Sequence, residues 1–465
     1  MAWLLVEGGT VITMGSPRRI IKEGALLIDG DRIKAVGKAA ELKASYPGAD
    51  VLDAREKLIL PGLIDTHIHL GQMLARGLAD DIDGKLVRWS WDRVYPWEAR
   101  LSEEDIYASA RLCCLEMIRT GTTTFADPGG RYMDAVAKAV KESGLRGIIA
   151  VASMDQSPDE WPLPEGLAPT TTQQALEESS GLMDRWHGAA SDRIRVWASL
   201  RVEPNISEEL INGLGKLAAE RGVGVQIHAS VSQARAEWVK KKTGYTPLAY
   251  YDHLGVLGHN WLATHLGWIT EEEVSLMAGR QVKACHVPGA ALHGANGAVT
   301  VGKFPELLCA GVCLSLGTDS SAANNSLDMF QAMYLAATVH KEARLDGTLI
   351  TPEQALEMAT TNSAQALLWE SQIGSLEQGK KADLLIVRID RSNWVPVYDF
   401  SLVPTLVYSG EGADVQTVIV DGKIVMQDGM IKTLPEEKVL KESQRRAERL
   451  VASLPYKIEP RWRFE

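Results

Sequence analysis

The chain has 465 residues, of which 45% are apolar and 23% charged, a composition typical of a globular protein. Its 49 Lys and Arg residues against 60 Asp and Glu give a formal charge of −11, which excludes the basic excess that nucleic-acid binding requires. The five cysteines form no disulfide framework, no run of about 18 apolar residues is present, and the first residues lack a signal-peptide pattern. We therefore expect a cytoplasmic protein that interacts with neither nucleic acid nor a membrane.

The two ends of the chain are rich in short β-type runs. Residues 25–28 lead into Asp29-Gly30-Asp31, and residues 417–420 lead into Asp421-Gly422. An Asp-Gly pair between β-rich runs is a signal for a tight turn. These patterns predict a small β-sandwich domain built from residues 1–57 and 370–432.

Residues 58–369 alternate between short apolar runs and segments of helical period. Three helix starts are marked, by Ser102 and Thr270 before acidic residues and by Thr351 before Pro352. About eight strand–helix units predict an α/β fold, a (β/α)8 TIM barrel. A doubly wound sheet is the competing layout, but the sequence has no phosphate-binding loop. Residues 433–465 are predicted to form a charged surface helix and a tail.

Polar side chains follow several of the predicted barrel strands. His67 and His69 lie two residues apart, so that on a strand they face the same side. His228, His265 and Asp319 each stand at the end of a later apolar run. The carboxyl ends of barrel strands meet at one rim, so we expect all five side chains to converge there.

This set of side chains predicts a metal site. His67, His69, His228 and Asp319 suit Zn²⁺, with Fe, Co or Mn as alternatives, and leave one position for water. Such an ion lowers the pKa of bound water to about 7 and supplies hydroxide at neutral pH. We expect Asp319 to accept and return a proton, and His265 to stabilise the oxyanion or orient the water.

With these residues in view, the sequence resembles the amidohydrolase superfamily, in the branch of cytosine-deaminase-like, methylthioadenosine/adenosylhomocysteine-deaminase-like and chlorotriazine-hydrolase-like enzymes. The resemblance rests on residues 61–70, 317–319, 324–330 and 373–384. It implies a distorted barrel with a flanking β-sandwich and a homodimer. It also implies a mononuclear metal on the four ligands above, since the fourth-strand run 194–203 has no Lys that could bridge two metals.

One position departs from the ring deaminases of this branch. They usually carry His-x-x-Glu after the fifth strand, and the Glu protonates a ring nitrogen; here that position is Val231. Val cannot transfer a proton, whereas a carbonyl needs no such proton because the metal polarises it. The sequence therefore favours hydrolysis of a C–N or C–S bond in a small neutral amide, urea or (thio)carbamate, as in the herbicide-degrading hydrolases of the branch.

Two alternatives stay open. Glu237 or Ser232 could replace the missing acid, which would allow an aminohydrolase acting on a purine-, pterin- or triazine-like ring. A non-catalytic scaffold that retains the metal is the other alternative.

Further residues are predicted to contact a small-molecule substrate. Trp89, Trp91 and Trp97 follow the first barrel strand and would lie over the barrel mouth, or else pack the lid against the barrel or a second subunit. Val231, His286 and Ser320 complete the set. The resemblance also gives His-x-Pro-x-Ser-Asn at residues 286–291, but here Ala290 and Ala291 replace the two polar residues.

Overall fold

A computed structural model describes residues 3–82, 89–167 and 171–463. Its central element is a sheet of eight parallel strands that pair in chain order, and the (β/α)8 prediction is confirmed. The first and last strands approach each other, since the Thr66 amide donates to the Leu316 carbonyl at 2.9 Å, and the sheet is thereby nearly closed. The strands are β6 (Leu63–Asp65), β7 (Thr122–Ala126), β8 (Arg146–Ala150), β9 (Ile194–Val202), β10 (Val225–Ala229), β11 (Trp261–His265), β12 (Lys283–His286) and β13 (Leu314–Leu316).

The helices surround this barrel. The three predicted starts at Ser102, Thr270 and Thr351 are all capping boxes, in which the side chain at the start and the one three residues later exchange hydrogen bonds with each other's backbone. The longer helices in the described ranges are Glu103–Arg119, Met133–Ser143, Thr172–Trp186, Glu208–Arg221, Gln233–Thr243, Glu271–Arg280, Met329–Arg344, Leu402–Ser409 and Glu436–Ala452. Shorter ones span Ala39–Ser45, Tyr95–Glu98, Ala189–Asp192, Pro247–His253, Pro288–His293, Phe304–Cys309, Ser321–Asn324, Pro352–Met358 and Thr361–Ala366.

The chain ends form a second, mixed sheet, which confirms the small β domain drawn from both termini. Its strand β5 already includes residues 58–61, so the sheet reaches past the predicted boundary at residue 57. The Asp421-Gly422 turn has positive φ at both residues, as a two-residue hairpin requires. The strands are β1 (Leu4–Ile12), β2 (Ile20–Asp29), β3 (Arg32–Lys38), β4 (Asp50–Asp53), β5 (Lys57–Pro61), β14 (Leu384–Arg388), β15 (Val415–Val420), β16 (Lys423–Gln427) and β17 (Met430–Ile431).

A buried ion-pair network joins the barrel to this sheet. Arg146, at the start of β8, donates through Nε to Asp383 at 2.9 Å and lies 3.3 Å from Asp421. Lys381 lies 2.8 Å from the same Asp421, and the Asp421 amide donates to Asp383. Each charge is therefore paired, which offsets the cost of burying it.

The C-terminal helix Glu436–Ala452 is present but is not simply a solvated surface helix. Val439 and Leu450 are buried, and Arg446 and Arg449 both donate to the buried carboxylate of Asp105. One face of the helix thus packs on the barrel. No helix within the described ranges is long and apolar enough to cross a membrane.

Candidate metal centre and substrate cavity

The structure brings together the five side chains predicted to converge at the barrel rim. His228 lies within β10 and His265 ends β11, while His67 and His69 directly follow β6 and Asp319 follows β13. The His67 ring centroid is 5.1 Å from that of His69, 4.7 Å from His228 and 5.3 Å from His265. Asp319 Oδ1 is 3.7 Å from Nε2 of His69 and 3.9 Å from Nε2 of His67.

The ring nitrogens of this cluster fit a divalent metal. The Nε2 atoms of His69 and His228 are 3.2 Å apart, close to the roughly 3.3 Å between two nitrogen ligands of a tetrahedral zinc. His67 Nε2 is buried and has no hydrogen-bond partner among the residues that the structure describes. Burial lowers the pKa of all three imidazoles well below the usual range, so they are neutral donors, as metal ligation requires.

Asp319 is held in place by the backbone around it. Its amide donates to the His67 carbonyl at 2.8 Å, and its Oδ1 accepts from the Ser320 amide at 2.7 Å. Gly317 permits this approach, because a Cβ there would lie 2.9 Å from the His67 backbone. Burial raises the pKa of Asp319 to about 6.

A second carboxyl group, that of Asp65, connects the segment that contains His67 to the segment that contains Asp319. Asp65 Oδ1 accepts from the amides of His67 and Thr318, both at 3.1 Å, and Oδ2 accepts from the Thr318 hydroxyl. Burial raises the pKa of Asp65 to about 7. The three hydrogen bonds fix the spacing between the His67 and Asp319 segments.

His265 faces Asp319 across the cluster. Its Nε2 is 4.0 Å from Asp319 Oδ2, and its backbone has a positive φ of 76°. Burial lowers the pKa of His265 to about 3, so the ring is neutral and can donate one hydrogen bond. It can therefore orient a water or stabilise an oxyanion at the site.

A cavity of about 60 Å³ opens onto this cluster. Of the predicted contact residues, Trp89 and Val231 line it, and His69, His228, His265 and Asp319 form its polar wall. The remaining lining residues are Gln72, Ser90, Val94, Tyr95, Arg201, Val202, Arg235, Ala290, Gly294, Asn296 and Ala323.

Four predicted contact residues lie elsewhere in the described chain. Trp97 is fully buried in the core, and His286 stacks on Phe304, with its Nε2 3.1 Å from His340 Nε2. Ser320 is buried and begins the helix Ser321–Asn324, where its hydroxyl accepts from the Ala323 amide.

Trp91 does not line the cavity. Its ring lies beside Tyr95 and Trp161, with centroid separations of 4.8 and 5.3 Å, and its Nε1 donates to the Pro162 carbonyl. The two residues considered as replacement acids are also outside the wall. Glu237 is exposed and accepts from Gln233, and Ser232 caps the helix Gln233–Thr243.

Sequence reasoning missed two arginines in the cavity wall. Arg201 donates to both oxygens of Glu98 at 3.0 and 2.9 Å, and Gln72 donates to the same carboxylate at 2.7 Å. Arg235 is also buried. Arg201 had a readable signal, since it is a charged residue near the carboxyl end of a barrel strand, where the functional side chains of a barrel lie. Arg235 had none, because a charged residue at a helix start is typical of solvent exposure.

A TIM barrel with a His/His/His/Asp cluster at its rim defines a metal-dependent hydrolase. The model of the amidohydrolase family matches residues 58–425, and the chain belongs to this family. It is an enzyme that acts on carbon–nitrogen bonds other than peptide bonds. A short segment, residues 24–49, also matches a bacterial imidazolonepropionase-like composite domain.

Named relatives cover almost the whole chain. A 5-methylthioadenosine/S-adenosylhomocysteine deaminase of Moorella thermoacetica is 37% identical over 96% of this chain and 99% of its own. An adenosine deaminase of Xanthomonas campestris with bound zinc superposes with a TM-score of 0.89 at 25% identity, over 96% of this chain and 98% of its own. A zinc-bound atrazine chlorohydrolase of Arthrobacter aurescens gives 0.87 at 25% identity, over 96% and 100%.

Proposed function

We propose that the protein hydrolyses the C–N or C–S bond of a small amide-, urea- or (thio)carbamate-like substrate at its carbonyl carbon. The observation that carries this proposal is the position of Val231 in the cavity wall, 3% exposed. Among the described residues of that wall, Asp319 alone carries a carboxylate. An aromatic ring would thus lack a dedicated proton donor, whereas a carbonyl does not need one.

The side chains around the cluster divide the work. His67, His69, His228 and Asp319 would hold the ion, for which we propose zinc, and a bound divalent ion acidifies water and polarises a carbonyl. Asp319 takes the proton from the attacking water and returns it to the leaving atom. His265 donates a hydrogen bond to the oxygen on which negative charge develops. The apolar wall at Val231 and Ala290 excludes competing water.

Deamination of a purine-like ring is the second candidate, and the named relatives support it better than they support amide hydrolysis. The sequence relative and one structural neighbour are nucleoside deaminases by name. These names give no support to the expected role in xenobiotic degradation. For a ring substrate, Asp319 would have to protonate the ring nitrogen as well as accept the proton of water. Assembly as a homodimer stays a prediction.

A matched substrate panel separates the two candidates. The purified holoenzyme would be assayed with 5-methylthioadenosine and adenosine for ammonia release, and with an anilide, a phenylurea and an S-alkyl thiocarbamate for amine or thiol release. We expect turnover in the second group, and loss of that turnover in Asp319→Ala with Glu237→Gln as the control. Ammonia release from the nucleosides alone would establish the second candidate instead.

A further inference from the structure

Arg235 is a buried cation that faces the cavity. It lies in the first turn of the helix Gln233–Thr243, whose start is fixed by the hydrogen bond from the Arg235 amide to the Ser232 hydroxyl. The residue is 3% exposed and lines the cavity together with Val231, four positions earlier. Its guanidinium carbon is 5.4 Å from the centroid of the Trp91 ring, which covers one face of the cation.

Unlike the other arginine of the cavity, Arg235 has an unused donor. Arg201 is neutralised by Glu98, whereas the described residues offer Arg235 Nε no hydrogen-bond acceptor. Burial raises the pKa of the Glu203 carboxyl, and the positive charge of Arg235 opposes this rise. Glu203 Oε1 nevertheless accepts from the Ser230 amide, and its Oε2 has no hydrogen-bond partner among the described residues. A buried donor without an acceptor is costly, so a ligand that supplies the acceptor would gain binding energy at this point.

We propose that Arg235 stabilises the negative charge that develops on the leaving atom of the substrate. This inference rests on the proposed carbonyl hydrolysis and narrows its substrate class. A guanidinium does not give up its proton at neutral pH, but it binds an electron-rich atom through charge-assisted hydrogen bonds. The structure thus favours leaving groups that carry charge as they depart, such as a thiolate or a nitrogen conjugated to an aryl or heteroaryl ring.

The step balances without a further reactant. A water oxygen forms a bond to the carbonyl carbon and gives one proton to Asp319. The bond from carbon to the leaving sulfur or nitrogen breaks, and its electron pair goes to the leaving atom beside Arg235. The proton held by Asp319 then passes to that atom, which departs as a neutral thiol or amine.

A leaving-group series tests this role. S-Aryl thiocarbamates of substituted thiophenols, or ureas of substituted anilines, would be assayed for kcat/KM with the wild type, Arg235→Gln and Arg235→Lys. We expect Arg235→Gln to lose about 100-fold with the leaving group of highest pKa and about 3-fold or less with the lowest, since loss of one charge-stabilising donor typically costs 10²–10³-fold. Arg235→Lys should recover part of the loss.

The controls distinguish a chemical from a structural role. Lys241→Gln removes the same charge from the exposed part of the same helix and should leave the leaving-group dependence unchanged. An equal loss across the series in Arg235→Gln, with an unchanged slope against leaving-group pKa, would overturn the inference while leaving the proposed function intact. If the wild type turned over no member of the series, the proposed function itself would fail, and the inference with it.

Discussion

At the scale of single residues, position 231 decides between carbonyl and ring chemistry. Val231→Glu would place a carboxyl group in the cavity wall beside His228 and close to Arg235. We expect release of ammonia from 5-methylthioadenosine to rise by about 10²-fold or more, the typical contribution of a positioned general acid. Hydrolysis of an anilide should not improve. The matched control is Val231→Gln, because Gln has nearly the shape of Glu but cannot donate a proton to the ring nitrogen.

The measurement is the ratio of ammonia release from 5-methylthioadenosine to anilide hydrolysis, determined for each variant on one preparation. Faster anilide hydrolysis in Val231→Glu would mean that the wild type lacks an acid that its own reaction needs. That outcome would contradict the assignment to carbonyl chemistry.

The convergence of the proposed metal ligands could be predicted from the sequence because each of them has a local signal. His67 and His69 share a face through their spacing, and His228 and Asp319 end apolar runs, so the rule that strand ends meet at the rim is sufficient. Trp97 and His286 lacked such a signal. Whether an aromatic ring faces the cavity or the core depends on partners distant in sequence, such as Phe304 and His340 for His286.

At the scale of elements, the network at Arg146 holds the barrel strand β8 against the terminal sheet. Arg146→Met would leave Asp383 and Asp421 buried with Lys381 as the remaining cation. We expect the free energy of unfolding to fall by about 3–5 kcal/mol, as when one partner of a buried ion pair is removed. Chemical denaturation measures it. Arg185→Met, which removes an exposed pair with Asp134, should cost less than about 1 kcal/mol.

The sequence predicted the helices whose starts have a local signal, but it did not predict how the C-terminal helix packs. Each capping box, at Ser102, Thr270 and Thr351, depends on residues within a segment of four, and the structure contains all three. The docking of the C-terminal helix depends on Asp105 meeting Arg446, 341 positions away, and a charged amphipathic sequence alone does not reveal that partner. The prediction of a solvated surface helix was therefore wrong for the face that packs on the barrel.

At the scale of the whole molecule, buried histidines make stability depend on pH. Burial lowers the pKa of His340 to about 4, while its unfolded value is about 6.5. Between these values the unfolded state binds a proton that the folded state does not, so stability is full above about pH 6.5 and is lost as the pH falls toward 4. We expect His340 to contribute about 1–3 kcal/mol of this loss.

The measurement is the free energy of unfolding at pH 7 and pH 5 for the wild type and for His340→Gln. His340→Gln removes the titrating group but retains a polar side chain beside His286. The free energy of unfolding should therefore change less between pH 7 and pH 5 in this variant than in the wild type. The same difference in both proteins would show that His340 does not titrate in this range. His187→Gln, at an exposed site outside the cluster, serves as the control.

The metal centre draws its proposed ligands from three strands of the barrel, so its occupancy should govern both activity and global stability. The proposed ligands lie on or just beyond β6, β10 and β13, and the three imidazoles among them are neutral and buried close together. A bound ion stabilises the folded state by mass action, by about 4 kcal/mol at a free concentration of 1,000 times its Kd. Removing it with a chelator should therefore abolish turnover and lower Tm, and zinc should restore both. His69→Ala should respond to neither chelator nor zinc, whereas metal-free protein that retained full activity would show that the cluster is not the catalytic centre.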